Sequence, residues 1–230
     1  CHWYQNLRHM YHPMMAQGDF EMMKPFFGLY ESVRPIAETR TAIYHGAKGA
    51  YFPETMTITG LYSGGDYGWN REGKQPKDVD CGYWKYAWNQ GPELLNLMLE
   101  YWEYTGDEKF LKNELLPMAK SVLEYFDTRF AKDEKGKILL NPTQVVETYW
   151  SGVTNDMPST AGLISVTNRL VSLPSALVPS GLQAFFKRVQ ASCPDLPLEE
   201  RNGKKQLAPA QLYDKGTSNC ENGELYGIWP

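Results

Sequence analysis

The sequence lacks most of the patterns that identify common protein classes. No apolar run approaches the roughly 20 residues that span a membrane, and the 23 basic and 27 acidic side chains give a net charge of -4 without a basic stripe of the kind nucleic-acid binders carry. No P-loop, G-x-G-x-x-G or G-x-S-x-G motif occurs, which leaves nucleotide binding and a serine-hydrolase triad unsupported. We therefore predict no membrane span and no nucleic-acid partner.

Metal-binding and disulfide patterns are scarce as well. The four cysteines form no C-x-x-C pair, and thiols scattered in this way are more often unpaired. All four histidines lie near the start, and His9 and His12, one helical turn apart, have no close carboxylate or thiol to complete a zinc site. The sequence therefore predicts neither a metal nor another cofactor. The cysteines are Cys1, Cys81, Cys193 and Cys220.

Aromatic residues, in contrast, make up 13% of the chain, and many lie beside amides and carboxylates, as in residues 2–6 and 83–90. A ring stacks on the C–H face of a sugar while polar neighbours bind its hydroxyl groups, so this pattern favours a carbohydrate partner. The alternative is that the rings fill the core.

Apolar residues spaced three and four apart predict long helices separated by Gly- and Pro-rich loops. Strand patterns are rare, with residues 138–140 as one short candidate, and residues 193–220 are predicted to be a loop. This predicts an all-α domain of paired helices, arranged either as a toroid or as an open solenoid, and a solenoid would show a more regular repeat. The predicted helices cover residues 19–44, 92–104, 117–130, 158–173 and 180–191, and a short helix follows Asp107. The predicted caps are Asp19, Asp107, Asp156 or Asn155, and Ser180, which forms a capping box with Gln183.

Hydrolysis of a glycosidic bond needs a proton donor and a second carboxylate that acts as base or nucleophile. The donor must keep its proton near neutral pH, which apolar surroundings promote. Glu147 fits by context, because valines precede it and Tyr149 and Trp150 follow it. Glu54, between aromatic residues and a turn, is the second candidate. A helix-capping or ion-paired glutamate is the alternative for both.

Three segments together resemble the six-hairpin glycosidases, most of all glycoside hydrolase family 95. Residues 5–13 resemble its N-x-N-x-Q-M-N-Y-W-P motif, which places Asn6 on the second Asn, a position that helps hold the catalytic water, and Tyr4 on the first. Residues 46–55, with the T-G-D segment at 105–107, are similar to its glycine turn and helix pair, although Pro53-Glu54-Thr55 replaces His-His-Asn. Residues 141–148 resemble the S-P-S-x-S-P-E-N segment, whose general acid falls on Glu147.

The resemblance implies part of an (α/α)6 toroid, with residues 1–230 forming an incomplete catalytic domain of a secreted or periplasmic bacterial glycosidase. It implies inverting hydrolysis, with Glu147 as general acid and the base beyond Pro230, after a last segment (224–230) that resembles S-H-L-Y-x-L-x-P. Phosphorolysis, as in family 65, and a sugar-binding toroid without catalysis are the alternatives. The residues expected to contact substrate are Tyr4, Asn6, Glu54, Trp84, Trp88 and Trp150.

Overall fold

Helices form most of the regular structure in the computed structural model, which describes residues 2–216 and 219–228. The prediction of a mostly α fold is confirmed. Cys1 and the Trp229-Pro230 end of the last predicted motif lie outside the described residues. The helices are α1 (Tyr4–Gln17), α2 (Lys24–His45), α3 (Gly64–Tyr67), α4 (Gln90–Thr105), α5 (Glu108–Phe110), α6 (Leu116–Arg129), α7 (Met157–Ser172) and α8 (Ser180–Ser192), with 3-10 turns at Phe20–Met23 and Gly223–Ile228 and a π turn at Leu111–Leu115.

Short antiparallel strands lie between the helices. The secondary structure predicted from the sequence was wrong in two places. Residues 138–140 form no strand, because the Leu140 N–H donates to Asn155 Oδ1 (2.8 Å) and Ile138 forms only an isolated bridge. Three strands lie within residues 193–220, which were predicted to be a loop. The pairs are β1 (His2–Trp3) with β2 (Thr55–Met56), β3 (Thr143–Val145) with β4 (Tyr149–Asp156), β4 with β7 (Ala210–Leu212), and β5 (Leu198–Arg201) with β6 (Lys204–Leu207).

The boundaries of α2 follow from its proline and glycine residues. Pro25 lies in the first turn, where its missing N–H costs no helical hydrogen bond. Gly46 ends the helix in the left-handed conformation and donates to Ala42 O (3.1 Å). Asp19 makes no capping hydrogen bond, since a 3-10 turn precedes the helix. Ile36, an apolar residue at helical spacing from the buried Val33, is exposed.

The helix α4 lies at the centre of the core. Every residue from 90 to 99 is buried, because α1, α6 and α7 all pack against α4. A helix that is buried all round lies inside a larger helical assembly rather than on its surface. Leu94, Leu95, Met98, Leu99 and Trp102 are spaced as one apolar helix face, of which the first four are buried and Trp102 is partly buried.

Of two predicted helix caps, the one at Asp156 is present and the one at Ser180 is absent. Asp156 caps α7, as predicted, by accepting from the Ser159 N–H (2.8 Å), and its other oxygen accepts from the Thr143 hydroxyl. The capping box predicted at Ser180 and Gln183 is wrong, because no side chain caps α8 and the Gln183 amide donates to a carbonyl of α7 instead. The Asp156 carboxyl therefore ties β3, the strand that precedes Glu147, to the start of α7.

Replacing Asp156 with Ala is expected to lower the free energy of unfolding by about 2–3 kcal/mol, since a helix cap is lost and the buried Thr143 hydroxyl loses its acceptor. Burial raises the pKa of Asp156 to about 6. Asp156→Asn keeps an acceptor and buries no charge, so it should cost less than half as much. Urea unfolding of both variants measures the difference, and equal losses would contradict the capping role.

The titratable side chain of His45 is half-buried at the end of α2. Its ring packs edge-on against Tyr51, Trp88 and Tyr125, at centroid distances of 5.8, 6.0 and 6.0 Å. Neither ring nitrogen has a hydrogen-bond partner among the described residues. Burial, followed by the positive charges of Arg129 and other basic residues, lowers the pKa of His45 to about 4.

The contribution of His45 to stability is therefore expected to fall as the pH drops from about 6.5 to about 4, while Asp156, whose pKa is raised, contributes in the opposite sense. In this range the unfolded chain takes up a proton at His45 that the folded chain does not, which costs up to about 3 kcal/mol. The loss belongs to His45 if a His45→Phe variant, measured by thermal unfolding across the same range, shows a shallower decline. The same slope in both proteins would refute this assignment.

Candidate active site

Glu147 lies on the turn that joins β3 to β4. The turn is closed by a hydrogen bond from the Thr148 N–H to Val145 O (3.0 Å). Val146 has a φ of 42°, in the left-handed region that β-branched residues rarely adopt. Such a conformation persists only where surrounding contacts impose it, and here Val145 and Val146 pack in a small apolar cluster with Val153. The turn therefore holds Glu147 in a defined place.

The Glu147 side chain is half-buried, so it is accessible and also partly desolvated. Its Oε2 accepts a hydrogen bond from Asn219 Nδ2 at 2.8 Å. Burial, followed by the negative charge of Glu221, raises the pKa of Glu147, and the Asn219 hydrogen bond opposes this rise. A carboxyl group that holds its proton more strongly than usual and remains accessible suits a general acid.

Aromatic rings flank this turn. The Trp150 indole N–H donates to Glu147 O (2.5 Å), and the ring of Tyr83 packs edge-on against Trp150 at 4.6 Å. The neighbouring Trp84 is buried and contacts Trp3 edge-on at 6.3 Å. Trp3 and Tyr83 are exposed, and both lie in the aromatic stretches 2–6 and 83–90 that the sequence marks.

Glu54 lies beneath the start of α1 and is 1% exposed. Its two carboxylate oxygens accept from the Gln5 N–H (2.6 Å) and from Gln90 Nε2 (2.8 Å). A buried carboxylate at a helix N-terminus satisfies a free N–H and stabilises the helix dipole. Glu54 thereby orients the first turn of α1, on which Asn6 is exposed. Burial raises the pKa of Glu54, and the negative charge of Glu147 adds to the effect.

The structure places Tyr4 and Trp88 in the core, at 0% and 3% exposure. The Trp88 indole N–H donates to Pro142 O (2.9 Å), which anchors the segment before β3. Tyr4 packs edge-on against Tyr30 at 6.0 Å. Both rings are enclosed by the core. Contact of Tyr4 or Trp88 with a sugar stays a prediction. The same is true of the contacts predicted for Asn6, Glu54, Trp84 and Trp150.

A buried ion pair lies on the other side of α1. Arg8 pairs with Glu93 of α4 and also donates to the Tyr226 hydroxyl (2.6 Å), and Asn89 Nδ2 donates to Glu93 (2.5 Å). Arg8, Glu93 and Tyr226 line a cavity of about 340 Å³ between α1, α4 and the 3-10 turn at Gly223–Ile228. The pair therefore fixes α1 against the centre of the core.

Sequence reasoning missed Glu221 and Asn219, both of which contact Glu147. The Glu147 N–H donates to Glu221 Oε2 (2.8 Å), although the two residues are 74 positions apart. The one available signal was the polar run at residues 219–222, directly before the last motif of the resemblance. Nothing in the local sequence shows that this run returns to the β3–β4 turn.

Among the described residues, no group of three His, Cys, Asp or Glu side chains is placed to hold a metal ion. No helix in the described ranges is both long and apolar enough to cross a membrane.

Comparison with known proteins gives two findings. The family model for the glycosyl hydrolase family 95 catalytic domain matches residues 2–172. Among solved structures, the chain is similar to a protein titled "Putative kojibiose phosphorylase from human microbiome", with 13% sequence identity and a TM-score of 0.46. That match covers 74% of this chain and 24% of the other, so the chain spans about a quarter of that protein's length. No curated protein matches the chain.

Proposed function

The chain belongs to glycosyl hydrolase family 95, and we propose that the full-length protein hydrolyses a glycosidic bond with inversion, using Glu147 as the general acid. The observation that carries the proposal is the setting of Glu147. It is an accessible carboxyl group on a fixed turn, with its pKa raised by burial and by Glu221. Family membership supports carbohydrate as the substrate class, and the rings beside the turn fit that class.

In the proposed reaction, Glu147 donates its proton to the glycosidic oxygen as the bond from that oxygen to the anomeric carbon breaks. A second carboxylate removes a proton from the water that attacks the opposite face of the sugar, which inverts the anomeric centre. The two carboxyl groups of inverting enzymes lie roughly 6.5–9.5 Å apart, which leaves room for the water. By resemblance, Asn6 helps to hold this water.

Of the described residues, Glu54 and Glu221 are the carboxylates that interact with Glu147, and neither is suited to be the base. Glu54 is buried and holds two hydrogen bonds. Glu221 accepts hydrogen bonds from the Glu147 N–H and from Gln5 Nε2. By the same resemblance, we place the base in the chain after Pro230 and the protein in a secreted or periplasmic location.

The proposal is tested by incubating the full-length protein with a panel of oligosaccharides and following the products by proton NMR, with and without inorganic phosphate. We expect a free sugar of inverted anomeric configuration that forms equally well without phosphate. A sugar 1-phosphate that forms only with phosphate would assign a phosphorylase. Glycan binding measured by calorimetry, without turnover over days, would assign a non-catalytic toroid.

A further inference from the structure

Glu221 accepts three hydrogen bonds, two from the Glu147 turn and one from α1. Its Oε2 accepts from the Glu147 N–H at 2.8 Å, and its Oε1 accepts from Gln5 Nε2 at 2.7 Å. Its backbone oxygen accepts from the Thr148 hydroxyl at 2.9 Å. One residue therefore joins the β3–β4 turn to the first turn of α1.

The segment around Glu221 also reaches the Glu147 carboxyl group, because Asn219 Nδ2 donates to Glu147 Oε2 at 2.8 Å. Residues 219–221 thus contact Glu147 at its backbone N–H and at its side chain. Gly223 continues the contact, since a Cβ atom at this position would lie 2.0 Å from Val145 Cγ1. The segment packs against the turn too closely for Glu147 to move independently of it.

The charges around this contact are mostly negative. Glu221 and Glu54 both interact with Glu147, from the 219–228 segment and from the 50–55 segment. Arg8 of α1 is paired with Glu93 and bound to Tyr226. Glu221 is therefore not neutralised by an ion pair among the described residues, and its charge acts on Glu147.

The geometry points to Glu221 as a positioning residue for Glu147, which fixes the turn against α1 and sets the upper limit of the pH range in which Glu147 keeps its proton. This inference rests on the proposed function, in which Glu147 must be protonated to act. A carboxylate close to another disfavours ionisation of its neighbour. The upper limb of the pH profile of kcat/KM reports the pKa of the free enzyme's acid, so it reports the effect of Glu221.

The experiment compares the pH dependence of kcat/KM in the full-length wild type and in three variants at this position. Glu221→Gln keeps an acceptor for the Glu147 N–H and removes the charge, so the upper limb should move to lower pH. Glu221→Asp keeps the charge, but its shorter side chain withdraws from that N–H. For the Asp variant we expect a lower kcat/KM, and we expect the upper limb of its pH profile to stay at the wild-type pH. Glu221→Ser removes the charge and leaves a small side chain. If the Gln variant does not fold, the Ser variant shows whether the upper limb moves.

The control is Glu200→Gln, which removes an exposed charge on the β5–β6 hairpin and should leave both the rate and the limb unchanged. An unmoved limb in the charge-removing variants, or an equal shift in Glu221→Asp, would overturn the inference. Failure of the proposed function looks different. In that case the wild type hydrolyses no glycoside, or Glu147→Gln retains full turnover.

Discussion

Replacing Glu147 with Gln in the full-length protein is expected to lower kcat on an alkyl glycoside by about 10²–10⁴-fold, the range that general acid catalysis contributes. Gln has nearly the same shape and can still bond to Asn219, but it has no acidic proton to give the departing oxygen. Steady-state rates on a glycoside with a poor leaving group measure the loss.

Two controls separate this loss from a structural effect. Glu200→Gln makes the same chemical change at an exposed position on β5 and should keep the wild-type rate. The thermal midpoint of Glu147→Gln should stay close to that of the wild type, because the side chain makes one hydrogen bond at the edge of the fold. A fall in rate of less than threefold would remove Glu147 from the role of acid.

Gly49→Ala should be among the most destabilising single substitutions in the chain, with a loss of about 2–5 kcal/mol in the free energy of unfolding. Gly49 has a φ of 80°, and an added Cβ would lie 2.2 Å from Ser121 O and 2.5 Å from Tyr125 N. Both are backbone atoms of α6, so no side-chain rotation relieves the clash. Denaturant unfolding measures the loss.

Gly46→Ala is the matched control for this prediction. Gly46 also has a positive φ, 62°, but an added Cβ would meet nothing within 4 Å. Its substitution should therefore cost only the strain of the left-handed conformation, about 1–2 kcal/mol. Equal losses in the two variants would show that the close approach of Gly49 to α6 contributes nothing.

Helices and their ends were predictable because local chemistry determines them. The Asp107 carboxylate accepts from the N–H groups of Lys109 and Phe110, both at 3.0 Å, as the sequence predicts. Gly46 ends α2 and Asp156 begins α7 for equally local reasons. The strands at residues 198–212 were not predictable in this way, because they are short and pair through contacts that no apolar alternation marks.

The candidate site was predictable only in part, because contacts between distant segments build it. The flanking residues single out Glu147, and the structure places it on a turn beside Trp150. The contact with Glu221 joins residues 74 positions apart, and no local pattern encodes it. Trp88 lies in the core, and aromatic content alone does not separate a ring that stacks on a sugar from one that fills the core.

The role of Glu147 as proton donor is tested most directly by a series of aryl and alkyl glycosides of increasing leaving-group pKa, hydrolysed by the full-length wild type and by Glu147→Gln. A good leaving group such as nitrophenolate needs no proton, so the variant should approach the wild-type rate there and lose about 10²–10⁴-fold on an alkyl glycoside. A loss of the same size across the whole series, or wild-type turnover of the alkyl glycoside, would contradict proton donation by Glu147.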